Sequence, residues 1–96
     1  MKLTIEFPSV SYREGSGAVT RMAQAIERIG YDHIDVFDHV VMGYPIEGRP
    51  KGPYPATMPI LEALIVIAQI AAVTSRITIG TEVLVLPQRH PTLVAK

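Results

Sequence analysis

The sequence predicts an α/β chain with parallel strands that forms the N-terminal β-α-β-α-β portion of a (β/α)₈ TIM barrel. Three observations support this fold class. Segments in which apolar and polar residues alternate are separated by segments of helical periodicity. The connection between the first two strand patterns holds one helix and a short return, which favours parallel strands with a right-handed crossover. The third strand pattern would leave a long apolar edge unpaired if the sheet ended there, and such an edge promotes aggregation.

The three predicted strands are short and end at recognisable signals. The first ends at residue 7 or 8, because Pro8 stops an alternation of apolar and polar side chains. The second is the β-prone run that begins at Ile34 and ends in the charged pair Asp38-His39. The third covers residues 77–86, and Gly80 within it indicates a bulge or a close backbone approach.

Two helices and the start of a third separate and follow these strands. Residues 18–29 carry apolar side chains at helical spacing, and Gly30 is a plausible left-handed cap. The second helix is predicted to begin near Pro59 and to cover residues 60–74. Because it is apolar nearly all round, we expect it to be buried on more than one side. A third helix begins at Pro91.

The remaining segments are predicted to be loops. Residues 9–17 carry no periodicity, and residues 40–57 are rich in Pro and Gly. A loop as long as the second is more often functional than accidental. A linker is the alternative, although the helix that follows is too hydrophobic to belong to a separate domain. A complete barrel takes about 250 residues, so residues 1–96 are predicted to be one incomplete barrel domain with no second domain.

Composition excludes several classes of partner. The 9 basic and 9 acidic side chains cancel, which argues against a nucleic-acid-binding surface. The longest apolar stretch, residues 63–73, is broken by Gln69 and is about half the length that a membrane span needs. The N-terminus is too short and too alternating to be a signal peptide. With no cysteine in the chain, these features predict a soluble cytoplasmic protein.

Gly15-Ser16-Gly17, before the first helix, superficially suggests a dinucleotide-binding loop. The third glycine position of that motif is Thr20, and eight residues separate Phe7 from Gly15 where the motif requires a tight turn. A plain loop with a helix cap is therefore the favoured interpretation.

Acidic and histidine side chains are dense around the second strand, which suggests a metal site. The length of the strand places His33 and His39 about 20 Å apart, too far to share one ion. We therefore predict no metal site, and we expect His33 to be a turn residue without a chemical role. The residues concerned are Asp32, His33, Asp35, Asp38 and His39.

Asp38 and His39 differ from the others because both lie where the second strand ends. In parallel α/β proteins this end of the sheet carries the chemistry. An imidazole titrates near neutrality and exchanges protons, and a neighbouring carboxylate favours its charged form. The alternative is structural, with Asp38 as a cap and His39 exposed.

Four segments together resemble the luciferase-like monooxygenase superfamily, most closely its branch that depends on the deazaflavin coenzyme F420. The resemblance covers the chain from about residue 20 to Lys96. It implies a (β/α)₈ barrel with a flavin or deazaflavin at the C-terminal face of the strands. The segments are Asp38-His39, the Ala/Ile-rich helix after Pro59 that ends in Val73-Thr74-Ser75-Arg76, the strand Ile77-Thr78-Ile79-Gly80-Thr81-Glu82-Val83, and Arg89-His90-Pro91.

The resemblance also implies roles for individual residues. Asp38 and His39 are expected to line the deazaflavin pocket, with His39 near the redox-active carbon as the catalytic residue. Thr81, Glu82 and Val83 are expected to back the cofactor ring, with a non-proline cis peptide bond between Glu82 and Val83. Members of the family commonly form dimers through their second and third helices, so the helix of residues 60–74 is expected to mediate a homodimer. The alternative is that the missing part of the barrel, or a chain that supplies it, covers this helix.

Three functions are consistent with these observations. The first is hydride transfer between F420 and a small organic substrate. The second is an FMN-dependent monooxygenase. The third is a non-catalytic fragment or subunit that associates through the helix of residues 60–74. In each case the 96-residue chain alone is expected to be inactive, because such barrels contribute their phosphate-binding loops late in the sequence.

Overall fold

Three parallel strands form a single sheet in the computed structural model of the chain. The structure describes residues 1–41, 43–50, 52 and 54–96. Strand β1 is Thr4–Glu6, β2 is His33–Val36 and β3 is Thr78–Thr81. Their order in the sheet is β1-β2-β3, and both pairs are parallel. The predicted parallel α/β arrangement is confirmed for this sheet, and its extension to a barrel stays a prediction.

Three α-helices alternate with these strands, namely α1 (Ser16–Ile29), α2 (Ala63–Val73) and α3 (Pro91–Ala95). Helix α1 begins two residues before the prediction and ends as expected at Gly30. This glycine has a left-handed backbone with φ of 109°, and its N–H donates to the carbonyl oxygen of Ile26 at 3.3 Å. The helical spacing of apolar residues in the sequence therefore predicted the end of α1 and, to within two residues, its start.

The predicted loop of residues 9–17 is wrong in part, because Ser9–Glu14 form a 3₁₀ helix. Tyr12 anchors this short helix, since it is 3% exposed and its ring stacks on Phe7 at 5.9 Å. Burial raises the pKa of Tyr12 to about 12. A single aromatic anchor leaves no periodic pattern in the sequence, which explains why this element was missed.

Helix α2 begins at Ala63, three residues later than predicted. Glu62 is its N-cap, and its side chain accepts a hydrogen bond from the backbone N–H of Ile65 at 2.9 Å. Pro59 and Ile60 lie outside the helix, and the side chain of Glu62 satisfies one of the N–H groups that are free at its start.

Strand β3 is shorter than predicted and ends at Thr81. The N–H of Glu82 still donates to the carbonyl oxygen of Val36 at 3.3 Å, after which the chain leaves the sheet and forms a 3₁₀ turn, Leu86–Gln88. Gly80 pairs in register with Asp35, so it marks a close approach and not a bulge. A Cβ at this position would lie 3.1 Å from Nε2 of His33.

Both long helices pack on one face of the sheet and bury its apolar side chains. Within this core Ile34 and Val36 are fully buried. Gln69 of α2 joins the two helices by donating to the carbonyl oxygen of Ser16 at 2.6 Å. The opposite face is polar and partly exposed. It is formed by Thr4, Glu6, His33, Asp35, Thr78 and Gly80.

Helix α2 is covered on the sheet side, where Val66 and Ile70 are buried, and remains open on the outer side. On that outer side Ile65 is 67% exposed, and Ala68 and Ala72 are also exposed. Burial of this side by a partner therefore stays a prediction. In the described parts of the chain, no helix has the length and apolar character needed to cross a membrane.

Candidate functional site

The candidate site lies at the edge of the sheet where the parallel strands end. Residues 37–39 leave β2 at this edge, and residues 82–89 leave β3 beside them. The N-terminus of α2 contributes Glu62, and the end of the long loop contributes Tyr54. Four segments that are distant in sequence therefore meet where parallel α/β proteins keep their functional groups.

Asp38 is the most buried charged residue of this edge, at 4% exposure. Its Oδ2 accepts hydrogen bonds from the backbone N–H of Val85 at 2.9 Å and from Nε of Arg89 at 3.1 Å. Its Oδ1 accepts from Nη2 of Arg89 at 2.6 Å. The hydrogen bond from Arg89, followed by that from Val85, holds the pKa of Asp38 below its ordinary value, so this carboxyl group is ionised at neutral pH.

Arg89 joins Asp38 to a second carboxylate. Only 12% of its side chain is exposed, and the same guanidinium group forms an ion pair with Oε1 of Glu62. The hydrogen bond to Asp38 is the main reason that the pKa of Arg89 lies above its ordinary value. Arg89 belongs to one of the segments that carry the family resemblance, but no role was predicted for it. The signal that points to it is physical, because a carboxylate buried as completely as Asp38 requires a cation.

His39 is half-buried and sits against two aromatic rings. Its ring meets Phe37 edge-on at 5.3 Å and Tyr54 edge-on at 5.5 Å. Phe37 and Tyr54 stack on each other at 5.6 Å. A cleft of about 1040 Å³, lined also by Tyr44 and Arg49 of the long loop, opens beside His39. The imidazole is therefore partly fixed and still accessible from the cleft.

The residues predicted to back the cofactor ring lie at the same edge but are poorly buried. They are Thr81, Glu82 and Val83. Thr81 is the half-buried last residue of β3 and pairs with Val36. Glu82 is exposed, and Val83 is 57% exposed. No cis peptide bond occurs in the described ranges, so the predicted cis bond between Glu82 and Val83 is wrong. A non-proline cis bond costs about 3 kcal/mol and persists only where packing enforces it, which these exposed side chains do not.

His33 lies at the other end of β2 and is its first residue, so its predicted place in a turn is wrong. Its Nε2 lies 3.0 Å from Oδ1 of Asp35, and its Nδ1 lies 2.6 Å from Oγ1 of Thr78. The contact with Thr78 connects β2 and β3 across the polar face of the sheet, and the contact with Asp35 lies within β2. Within the described ranges, no three acidic, histidine or cysteine side chains are arranged to hold a metal ion.

The structure therefore brings together Asp38, His39 and the chain that follows Thr81, and it separates all of them from His33. Chemically, the edge presents an imidazole beside two aromatic rings. Such a surface packs against a flat heteroaromatic ring and exchanges a hydrogen bond or proton with it.

The chain is similar to a known family and to proteins of known sequence. The sequence model of a family described as luciferase-like monooxygenase matches residues 3–96. Uncharacterized proteins of Mycobacterium bovis and Mycobacterium tuberculosis are each 35% identical to the chain in an alignment 83 residues long, and the match covers 78% of this chain and 28% of the relative. The chain therefore spans little more than a quarter of the length of these curated relatives. No solved structure matches it significantly.

Proposed function

Because the chain belongs to the luciferase-like monooxygenase family, we propose that it supplies the first part of the active site of a deazaflavin-dependent oxidoreductase. The reaction is hydride transfer between coenzyme F420 and a small organic substrate. The observation that supports this proposal is the position of His39, half-buried against Phe37 and Tyr54 at the carboxyl end of parallel strands. The family match supports oxidoreductase chemistry in general, and the choice of F420 is our proposal.

The residues at this edge fit the ring end of such a cofactor. Tyr54 provides partly exposed aromatic surface over the buried ring of Phe37, and His39 provides a group that donates or accepts a hydrogen bond. When bound, the deazaflavin or flavin ring supplies the centre that gains or loses the hydride. The protein positions that ring and polarises it. In our proposal Asp38 and His39 line the pocket together with the residues Thr81, Glu82 and Val83 that follow β3.

We further propose that this chain is the beginning of a barrel domain. The free edge of β3 and the small share of each relative that the chain covers support this view. The exposed outer side of α2, with Ile65, Ala68 and Ala72, supports a homodimer or coverage by the rest of the barrel. A cytoplasmic location stays a prediction.

FMN is the alternative cofactor, in which case the enzyme is a monooxygenase. The two are distinguished by titrating the full-length protein with F420 and with FMN and recording absorbance, because bound deazaflavin and bound FMN have different visible bands. Saturable binding of F420 with weaker binding of FMN supports the proposal. The reverse order supports the monooxygenase. Binding of neither, in a protein that self-associates through α2, supports the non-catalytic role.

Replacement of His39 tests the catalytic assignment. In the complete enzyme we expect His39→Asn to lower turnover about 100-fold or more, the range for a lost proton donor or acceptor, with cofactor affinity changed only slightly. The matched control is His33→Asn, at the opposite end of β2, where turnover should be unchanged. If His39→Asn retains full turnover, His39 has no catalytic role.

A further inference from the structure

We infer that Arg89 is the positioning residue for His39 and that it acts through the carboxylate of Asp38. The inference rests on the proposed function in one respect, because that function makes the position of His39 important for turnover. The contacts that support it are independent of any cofactor.

The backbone that carries His39 lies beyond the end of strand β2. Strand β2 ends at Val36, whose carbonyl oxygen accepts the last hydrogen bond from the neighbouring strand, donated by Glu82 at 3.3 Å. Residues 37–39 make no backbone hydrogen bond to another backbone group in the described part of the chain. The sheet therefore does not hold the backbone of His39 in place, and side chains must do so.

The second step is that the side chain of Asp38 replaces the missing backbone contacts. Its carboxylate is fully buried and accepts three hydrogen bonds, two from Arg89 and one from the N–H of Val85. A carboxylate offers about four acceptor positions, so most of its capacity is used. The two-point contact with a planar guanidinium group fixes the orientation of the carboxylate as well as its position.

The third step is that Arg89 is itself fixed. Its backbone N–H donates to the carbonyl oxygen of Leu86 at 3.0 Å, which places it at the end of the 3₁₀ turn. On the other side its guanidinium group pairs with Glu62, the N-cap of α2. Arg89 therefore fixes Asp38 relative to the segment after β3 and to α2. Asp38 is the residue directly before His39.

The fourth step is the consequence of removing the guanidinium group. The buried carboxylate of Asp38 would then lose its cation and two of its three hydrogen bonds, and the partly exposed carboxylate of Glu62 would lose the same partner, which is unfavourable. In our proposal Asp38 then becomes protonated or turns away, and either change shifts the backbone of His39. His39 then leaves its edge-on contacts with Phe37 and Tyr54.

The test measures the environment of His39 directly. The chain has 3 histidines, so the imidazole C–H signals can be assigned in two-dimensional NMR spectra by single His→Asn replacements. The rings of Phe37 and Tyr54 shift the signals of His39 while it lies against them. We expect these signals to move in Arg89→Gln and also in Arg89→Lys, which keeps the charge but lacks the two-point fork. Arg28→Gln, an exposed arginine of α1, should leave them unchanged.

Arg89→Lys is the deciding variant, since it retains a cation between the two carboxylates and circular dichroism can confirm that it is folded. Signals of His39 that stay at their original positions in either folded Arg89 variant would overturn the inference. In the active enzyme, Arg89→Lys should lower kcat about tenfold or more while KM and the cofactor Kd change less than about twofold, because a displaced His39 affects the reacting geometry more than binding.

The NMR measurement needs neither cofactor nor substrate. A full-length wild-type protein without turnover would therefore contradict the proposed function and leave the positioning of His39 by Arg89 intact. Unmoved His39 signals in a variant of an active enzyme would contradict the positioning alone.

Discussion

The ring of Tyr54 stacks on the ring of Phe37, with 5.6 Å between their centroids and 14° between their planes. The contact joins the end of the long loop, residues 40–57, to the end of β2. The backbone hydrogen bonds in the described part of this loop are local, such as that from the N–H of Arg49 to the carbonyl oxygen of Ile46 at 3.1 Å. Tyr54 therefore anchors the loop beside the candidate site.

Replacement of Tyr54 by Ala should release the loop. Stacked aromatic pairs contribute about 0.5–1.5 kcal/mol beyond the area that they bury, so we expect thermolysin to cleave the loop near Val41 or Ile46 several-fold faster in Tyr54→Ala. Tyr54→Phe keeps the ring and should behave like the wild type. Equal cleavage rates in all three proteins would show that the loop is anchored elsewhere.

Glu27 should stabilise the fold in a manner that depends on pH. Its Oε1 accepts hydrogen bonds from the backbone N–H groups of Ser75, Arg76 and Ile77 at 2.9, 2.7 and 3.0 Å. These donors, that of Arg76 first, hold the pKa of Glu27 below its ordinary value of 4.5. Replacement by Gln removes the charge, and we expect Glu27→Gln to lower the Tm by several degrees at pH 7.

The sign of the pH dependence follows from the lowered pKa. The stabilisation by Glu27 is complete above the unfolded-state pKa, near 4.5, and is lost as the pH falls through the lower folded-state pKa. The Tm difference between wild type and Glu27→Gln should therefore shrink in acid. Glu14→Gln is the control, because the pair of Glu14 with Arg21 at 3.4 Å is exposed and contributes little. A difference that grows in acid would contradict the assignment.

The fold could be predicted where burial is one-sided and repeated. Helix α1 and the core of each strand present apolar side chains at a regular spacing, which is visible in the sequence. The end of β3 was not predictable, because residues 83–86 are mostly apolar and continue a strand pattern. Outside the sheet, the N–H of Val85 donates to the side chain of Asp38, 47 residues earlier, a contact that the sequence pattern does not reveal.

The candidate site could be predicted from the sequence only in part. Asp38 and His39 stand out because charge interrupts an apolar run where a strand ends. The partners of this pair are set by tertiary structure alone, since Arg89 lies 51 residues from Asp38 and Tyr54 belongs to a loop without periodicity. Sequence reasoning can state that a buried carboxylate needs a cation, but it cannot choose among the 9 basic side chains of the chain.

Glu62 should stabilise the first turn of α2 through two separate contacts. Its Oε2 accepts from the N–H of Ile65 at 2.9 Å, and its Oε1 pairs with Arg89. We expect Glu62→Ala to lower the free energy of unfolding by about 1 kcal/mol through loss of the cap, measured by urea unfolding, and by more if the ion pair contributes. Glu62→Gln keeps an acceptor for Ile65 and should lose less. Equal losses in the two variants would show that the cap has no effect.

Gly80 should be required because β2 and β3 approach closely on the polar face of the sheet. A Cβ at residue 80 would lie 3.1 Å from Nε2 of His33 and 3.4 Å from Oδ1 of Asp35. These two side chains are themselves in contact at 3.0 Å, and His33 is also held by Thr78 at 2.6 Å, so the imidazole has little freedom to move. We expect Gly80→Ala to destabilise the protein by about 1 kcal/mol, the lower end of the range for overpacking.

A double-mutant cycle separates this crowding from any effect of alanine on the strand itself. In a His33→Ala background the methyl group added by Gly80→Ala no longer meets the imidazole, and of the close contacts only that with Oδ1 of Asp35 at 3.4 Å remains. Its cost should therefore largely disappear, and the two substitutions should show a coupling energy of about 1 kcal/mol. Gly43→Ala is the control, because no atom lies within 4 Å of a Cβ at that position. If Gly80→Ala costs the same with and without the imidazole, the close approach to His33 is not the reason for glycine at residue 80.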